Sequence, residues 1–169
     1  LTNSIIVTAA TVSLISGPTH SAVGATGQRV GIAAAVNPAT NGTPPGGADR
    51  VIAVGSKLLQ NERIVTTGKG RTQLLFLDGS ALTIGPNSDV VLDEFVYDPS
   101  TKTGKLAFSA TKGLFRLVGG KISKKTAVTF TTPTAVIGIR GGIGIITVRN
   151  VSKQAALGIE RNRIENGLA

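Results

Sequence analysis

The chain has no cysteine, and its one histidine is His20. The missing thiols remove Cys nucleophiles and cysteine-bearing zinc sites. They leave the compartment open, because disulfides are an option rather than a requirement for a domain of this size. His20 lies in a stretch with the character of a removable leader, and its loss would exclude Ser-His-Asp triads and ordinary zinc sites by inventory. Aromatic residues are scarce at 4%. The core is therefore expected to rest on Val, Ile, Leu and Ala, and the abundance of Val, Ile and Thr favours strands. Acids are absent from Thr101 to Ile159, and no base lies between Arg71 and Lys102. No apolar run reaches the roughly 20 residues that a membrane-spanning helix needs.

What remains is globular in composition: 169 residues, 41% hydrophobic, 16% charged, with 22 glycines and a net charge of +9. Residues 1–25 carry the uncharged run Ile5 to Ile15, the length of a signal-peptide core, with small residues at Ser21-Ala22 and Val23-Gly24-Ala25 suited to cleavage. A basic leader is missing and the first residue is Leu1, so the true start is expected upstream; the bland alternative is a short buried helix or strand. Residues 26–49 read as a Gly/Pro-rich lead-in, with one short strand at Gly31 to Val36 and then an exposed loop through Asn41-Gly42-Thr43-Pro44-Pro45-Gly46-Gly47.

Strand signals then recur at short spacing. The densest stretch is Leu74 to Asp98, where Asp78-Gly79-Ser80 separates two apolar runs as a hairpin turn, and Gly85-Pro86-Asn87-Ser88 precedes a strand from Asp89 to Tyr97. A three-strand meander is predicted. Further strands are expected at Arg50 to Val54, Arg63 to Thr66, Gly104 to Ser109, Gly113 to Val118, Ala127 to Thr132, Ala135 to Ile139 and Ile143 to Val148. The prediction is an all-β chain, antiparallel and meander-rich, folded as a two-sheet sandwich or roll of eight to eleven short strands; a β-helix is the rival architecture. Residues 149–169 form a distinct tail in which a turn or two of helix over Lys153 to Ile164 is interrupted by Gly158.

The order of apolar strand, Asp78-Gly79-Ser80, short strand, Pro86-Asn87-Ser88 and strand resembles the FecR-like domain of bacterial envelope proteins. Three other pieces resemble the same family: Val54-Gly55 with Glu62-Arg63-Ile64-Val65-Thr66, Lys112-Gly113-Leu114-Phe115-Arg116, and Thr132-Pro133-Thr134-Ala135-Val136-Ile137-Gly138-Ile139-Arg140-Gly141. The resemblance spans Arg50 to Val148. It departs where the family's Arg-Gly-Thr stands here as Arg140-Gly141-Gly142. The likeness implies a non-catalytic recognition or signal-relay module, periplasmic or extracellular, that docks a protein partner and needs no cofactor.

Charge supplies the independent signal. The acids Asp78, Asp89, Asp93, Glu94 and Asp98 occupy one part of the chain, and the bases Lys112, Arg116, Lys121, Lys124, Lys125 and Arg140 another. One explanation is that acidic and basic strands lie side by side and pair. The other is a cationic face for an anionic envelope glycan, lipopolysaccharide or an acidic protein patch. Arg140, beside two glycines, suits bidentate capture of carboxylate or phosphate, or equally a brace to Asp78. Arg116, Lys121, Lys124, Lys125 and Arg140 are thus the candidate partner-binding residues. Asp78, Gly79, Ser80, Pro86, Asn87 and Ser88 are read first as turn formers and second as ligand-facing loops. Nucleic acid is not expected: no binding motif is present, and the basic half offers only Phe108, Phe115 and Phe130 for stacking. Asp89 with Asp93, or Glu94 with Asp98, share a strand face by the period of two, a weak signal for a hydrolase pair or a calcium site. Gly119-Gly120-Lys121 lacks the spacing of a phosphate-cradling loop.

Overall fold

The computed structural model describes residues 27–37 and 40–149, and every regular element among them is a strand. In chain order these are β1 (Arg29–Asn37), β2 (Thr40–Thr43), β3 (Arg50–Val51), β4 (Lys57–Leu59), β5 (Arg63–Thr66) and β6 (Arg71–Phe76). They continue with β7 (Ala81–Ile84), β8 (Asp89–Asp98), β9 (Thr103–Val118), β10 (Val128–Thr131), β11 (Val136–Ile139) and β12 (Ile143–Val148). The signal-like run and the tail after Arg149 lie outside the described residues.

The strands form two sheets that share β9. The first runs β4-β1-β6-β7-β9-β12, the second β3-β2-β5-β8-β9-β10-β11. Every neighbouring pair is antiparallel except β9 with β10, which pair parallel. The all-β, two-sheet, predominantly antiparallel architecture is the one the sequence predicts. Alternation along each strand turns one face inward: Leu74, Phe76, Leu82, Ile84, Phe115 and Leu117 from the first sheet meet Ile64, Val90, Phe95, Leu106, Phe108 and Phe130 from the second.

Three details differ from the sequence expectation, each for a physical reason. The two strands expected at Gly104 to Ser109 and Gly113 to Val118 are one, β9, because Gly113 bends the chain at φ +123° without taking it out of the ladder. The meander is a β6–β7 hairpin only. Gly85-Pro86-Asn87-Ser88 carries β8 across to the other sheet, with Asn87 at φ 52° and the Asn87 amide donating to Thr67 O at 3.0 Å. The lead-in holds the expected short strand, lengthened to Arg29–Asn37 as β1, and a second one, β2, in place of the expected exposed loop, both inside the sheets, with Val30, Ala33 and Thr40 buried. Its glycine marks close packing rather than flexibility: a Cβ on Gly31 would lie 2.2 Å from Leu75 O.

The aromatic economy also resolves differently. All five phenylalanines are buried, and four form a chain of tilted contacts, Phe76 to Phe108 at 5.4 Å, Phe108 to Phe130 at 5.8 Å and Phe115 to Phe130 at 5.2 Å between ring centroids. The few aromatics lie where the two sheets meet, and aliphatic residues fill around them.

Candidate functional site

The two turn motifs are built into the fold. Asp78 is fully buried; its carboxylate accepts hydrogen bonds from the Ser80 amide (3.0 Å), the Ser80 hydroxyl (2.7 Å) and the Ile122 amide (3.2 Å). Ser80 Oγ in turn accepts from the Gly120 amide at 2.9 Å. The Asp78-Gly79-Ser80 turn therefore holds the loop that follows β9, offsetting the desolvation of its carboxylate with three donors. Ser88, also buried, accepts from the Leu114 amide through its hydroxyl (3.2 Å) and donates from its own amide to Thr66 Oγ1 (3.0 Å). It braces β9 beside the Gly113 bend.

The loop after β9 gathers most of the predicted basic residues. Gly141 N donates to Ser123 O at 2.8 Å and Gly119 N to Gly142 O at 2.9 Å, which brings the Arg140-Gly141-Gly142 turn against the segment holding Lys121, Lys124 and Lys125. All four basic side chains are exposed. Lys125 donates its Nζ to Thr101 O at 2.7 Å. Arg140 does not brace Asp78, whose carboxylate is engaged by Ser80 and Ile122. Arg116 stands apart, on β9 within the first sheet, opposite Ile145 and Thr83. The glycines at Gly141 and Gly142 take φ +67° and +68° in succession, a conformation that a β-branched residue in place of Gly142 resists.

The strand carboxylates are each occupied. Arg63 forks Asp89 through Nε to Oδ1 (2.9 Å) and Nη2 to Oδ2 (2.5 Å), and that hydrogen-bonded cation holds the Asp89 carboxyl below the ordinary aspartate value against the opposing effect of burial. Asp93 accepts from Ser109 Oγ at 2.6 Å, and Glu94 lies 3.8 Å from Lys105. Asp98 accepts from Thr101 Oγ1 and the Ser100 amide, which lowers its pKa. Glu62, missed as a fold determinant, is fully buried and accepts a fork from Arg50 at 2.7 to 3.0 Å, with the Leu59 amide at 2.9 Å. Its signal in the sequence is an acid placed between two apolar strands with arginines near on both sides.

The least finished part of the fold is where β11 and β12 diverge. The two strands follow one another through the Arg140-Gly141-Gly142 turn, yet β11 pairs with β10 and β12 with β9, so they splay into different sheets. A cavity of about 520 Å³ opens between them, with Thr132, Pro133, Ala135 and Ile137 on one wall and Ile146, Val148 and Arg149 on the other. Thr132 closes the β10–β11 turn through its amide and hydroxyl, both donating to Ala135 O at 2.8 and 3.0 Å. Among the described residues, each of the two strands has one edge without a partner strand. Sequence reasoning placed the strands but not the cavity, because Gly141-Gly142 suggests a bulge or a close approach of two backbones and does not say which sheet receives the next strand.

Among the described residues, no helix is long and apolar enough to cross a membrane. No curated protein and no solved structure matches the chain. A family model described as FecR protein matches residues 62–165, which takes in β5 through β12 and continues beyond them. That family is a regulatory, non-catalytic family of the bacterial envelope whose signalling implies protein contacts. The match covers both turn motifs, the bent β9 and the splayed β11–β12 pair, and on that extent the chain belongs to the FecR protein family.

Proposed function

We propose that the chain is a non-catalytic recognition or signal-relay module that takes an extended segment of an envelope protein along the β11–β12 mouth, on the periplasmic or extracellular side. The observation that carries this reading is that β11 and β12, each with one edge lacking a partner strand among the described residues, both line one cavity. An added strand gains its affinity from the open ladder and its specificity from side-chain pockets on alternate residues. Ile137, Ile146 and Val148 supply an apolar wall, and Arg149 at the mouth with Arg140 at the apex favours an acidic partner. A second reading, capture of an anionic polysaccharide or lipopolysaccharide, draws support from the exposed Lys121, Lys124 and Arg140 gathered about one loop.

The absence of cysteine makes the test clean. A photo-crosslinker on Thr147→Cys lines the cavity, and one on Lys69→Cys, in the exposed turn before β6, serves as the remote control. Incubated with detergent-solubilised envelope extract, the Thr147 probe is expected to label a discrete protein in high salt while the Lys69 probe does not. Equal labelling from both positions, or retention only of glycan that washes off with salt, would overturn protein docking at this mouth.

A further inference from the structure

Among the described residues, the outer face of the first sheet differs in chemistry from the strands of the second, which carry acids. Its strands β1, β4, β6, β7, β12 and the Gly113–Val118 half of β9 contain no acid, but carry Arg29, Lys57, Arg71 and Arg116. Ladder register aligns an apolar row across that face: Ile143 lies opposite Val118, Val118 opposite Ala81, Ala81 opposite Leu75, and Leu75 opposite Ile32. At about 4.8 Å between strands the row spans ~19 Å. The alternation that buries Leu74, Phe76, Phe115 and Ile146 turns Leu75, Leu114 and Ile145 outward, and Ile145 is 72% and Ile143 59% exposed.

Positive charge surrounds the row. Arg116 and Arg71 line a depression of about 240 Å³ together with Leu114 and Thr83. Lys57 lies at its far end, opposite Ile32. The Lys121, Lys124 and Arg140 loop follows the end of β9 on the other side. Central strands have spent their backbone donors and acceptors in the ladder, so this face has little to guide a peptide backbone. It offers apolar area with positive charge around it, the pairing that suits hydrocarbon beneath anionic headgroups.

We propose that the outer face of the first sheet docks on a lipid bilayer bearing anionic headgroups, with Ile143, Ile145, Leu75 and Leu114 entering the interface and Arg71 and Arg116 meeting lipid phosphates. This surface adjoins the β11–β12 mouth along β12, whose Ile143 and Ile145 lie outside the cavity lining, and its docking does not depend on a protein partner.

The chain has no tryptophan, so a single introduced indole reports its own surroundings. In the full chain, Ile145→Trp is expected to shift its emission to the blue on phosphatidylglycerol-containing vesicles and to be quenched by brominated acyl chains. Val96→Trp, at an exposed β8 position of the other sheet, is expected to do neither. Adding Arg71→Gln and Arg116→Gln to the Ile145→Trp chain is expected to lower vesicle partitioning about thirtyfold, from about 1 kcal/mol for each cation at an anionic surface. Vesicle binding with an unshifted Ile145→Trp would overturn the proposal by assigning the contact to another part of the chain. So would equal binding to pure phosphatidylcholine. A blue shift that instead tracks protein concentration without vesicles would make the face a contact between copies and overturn it as well.

Discussion

Along β9, Lys105 lies 3.8 Å from Glu94 of the neighbouring strand, whereas Arg116, further along the same strand, has Ile145 on one side and Thr83 on the other. The contrast extends through both sheets. In the second, Arg50 holds Glu62, Arg63 holds Asp89, and Ser109 and Lys105 engage Asp93 and Glu94. In the first there is no acid for a base to hold. The net charge of +9 is therefore not a diluted average. Among the described residues, pairing consumes charge in the second sheet and leaves it standing in the first, which is also the one that exposes Ile143 and Ile145. Of the two readings of the charge asymmetry, pairing describes the second sheet, while the strands of the first carry Arg29, Lys57, Arg71 and Arg116 with no acid among them.

The sharpest way to break the comparison is to cut the strand that joins the sheets. A Cβ at Gly113 would lie 2.1 Å from Ser88 Oγ and 2.6 Å from Ser88 Cα, at φ +123°. Gly113→Ala is expected to cost about 3 kcal/mol in urea unfolding, from overpacking and backbone strain together. Gly141→Ala is the matched control, since its φ of +67° is left-handed but nothing lies within 4 Å of the added carbon. It is expected to cost about 1 kcal/mol. Equal costs at the two positions would show that β9 does not depend on the tight contact with Ser88.

Next in size is the buried turn. Asp78→Ala leaves the Ser80 and Ile122 amides without their acceptor and is expected to cost about 2 to 3 kcal/mol. Asp78→Asn keeps one oxygen and is expected to cost about half as much. An Asp78→Ala chain as stable as the parent would mean that the loop carrying Lys121 to Lys125 is held by other contacts.

Much of this was legible because local chemistry and fold agree. Asp78-Gly79 sets a hairpin between the two apolar runs that become β6 and β7, and the strand expected at Ala127 to Thr132 is β10 to within one residue at each end. What was hidden depended on distant partners. Glycine signals freedom and close contact with the same letter, so Gly31 and Gly113 read only as the starts of short strands when they are sites of close contact. Pro86-Asn87-Ser88 signals a turn but not which sheet receives the next strand. The basic residues were visible; that Lys121 and Arg140 meet around one loop while Arg116 stands on an open sheet follows only from the Gly141-to-Ser123 hydrogen bond and the β9 register. The acids gave half a signal, since sequence supplied five carboxylates and pairing by Arg63 needed the β5–β8 register.

A smaller effect separates the sheets by pH. Asp89 is nearly buried and forked by Arg63, and its folded pKa is depressed below the ordinary 3.8. As pH falls, the unfolded chain binds that proton first. The stabilisation from the fork is complete above the ordinary aspartate value and is lost as pH falls through the depressed folded one. Asp89→Asn is expected to lower stability at neutral pH by about 1 to 2 kcal/mol, discounted because Arg63 is half exposed, and to flatten the acid limb of the stability profile. An unchanged acid limb would assign the acid sensitivity to other carboxylates.

The smallest expected effect is the one that best distinguishes folding from function. Arg116 and Ile145 face solvent on a sheet whose inner side already buries Phe115, Leu117 and Ile146, so truncating them removes no core contact. Arg116→Gln and Ile145→Thr are each expected to change the urea midpoint by less than the equivalent of about 0.5 kcal/mol. Lys105→Gln, which loses an exposed partner at 3.8 Å, belongs in the same range. Stability therefore does not explain why an exposed strand face combines isoleucine at positions 143 and 145 with arginines at 71 and 116 that have no acidic partner among the described residues. If Arg116→Gln instead destabilised the fold by several kcal/mol, the first sheet would owe its cations to packing, and the contrast between a sheet that spends its charge internally and one that presents it outward would fail.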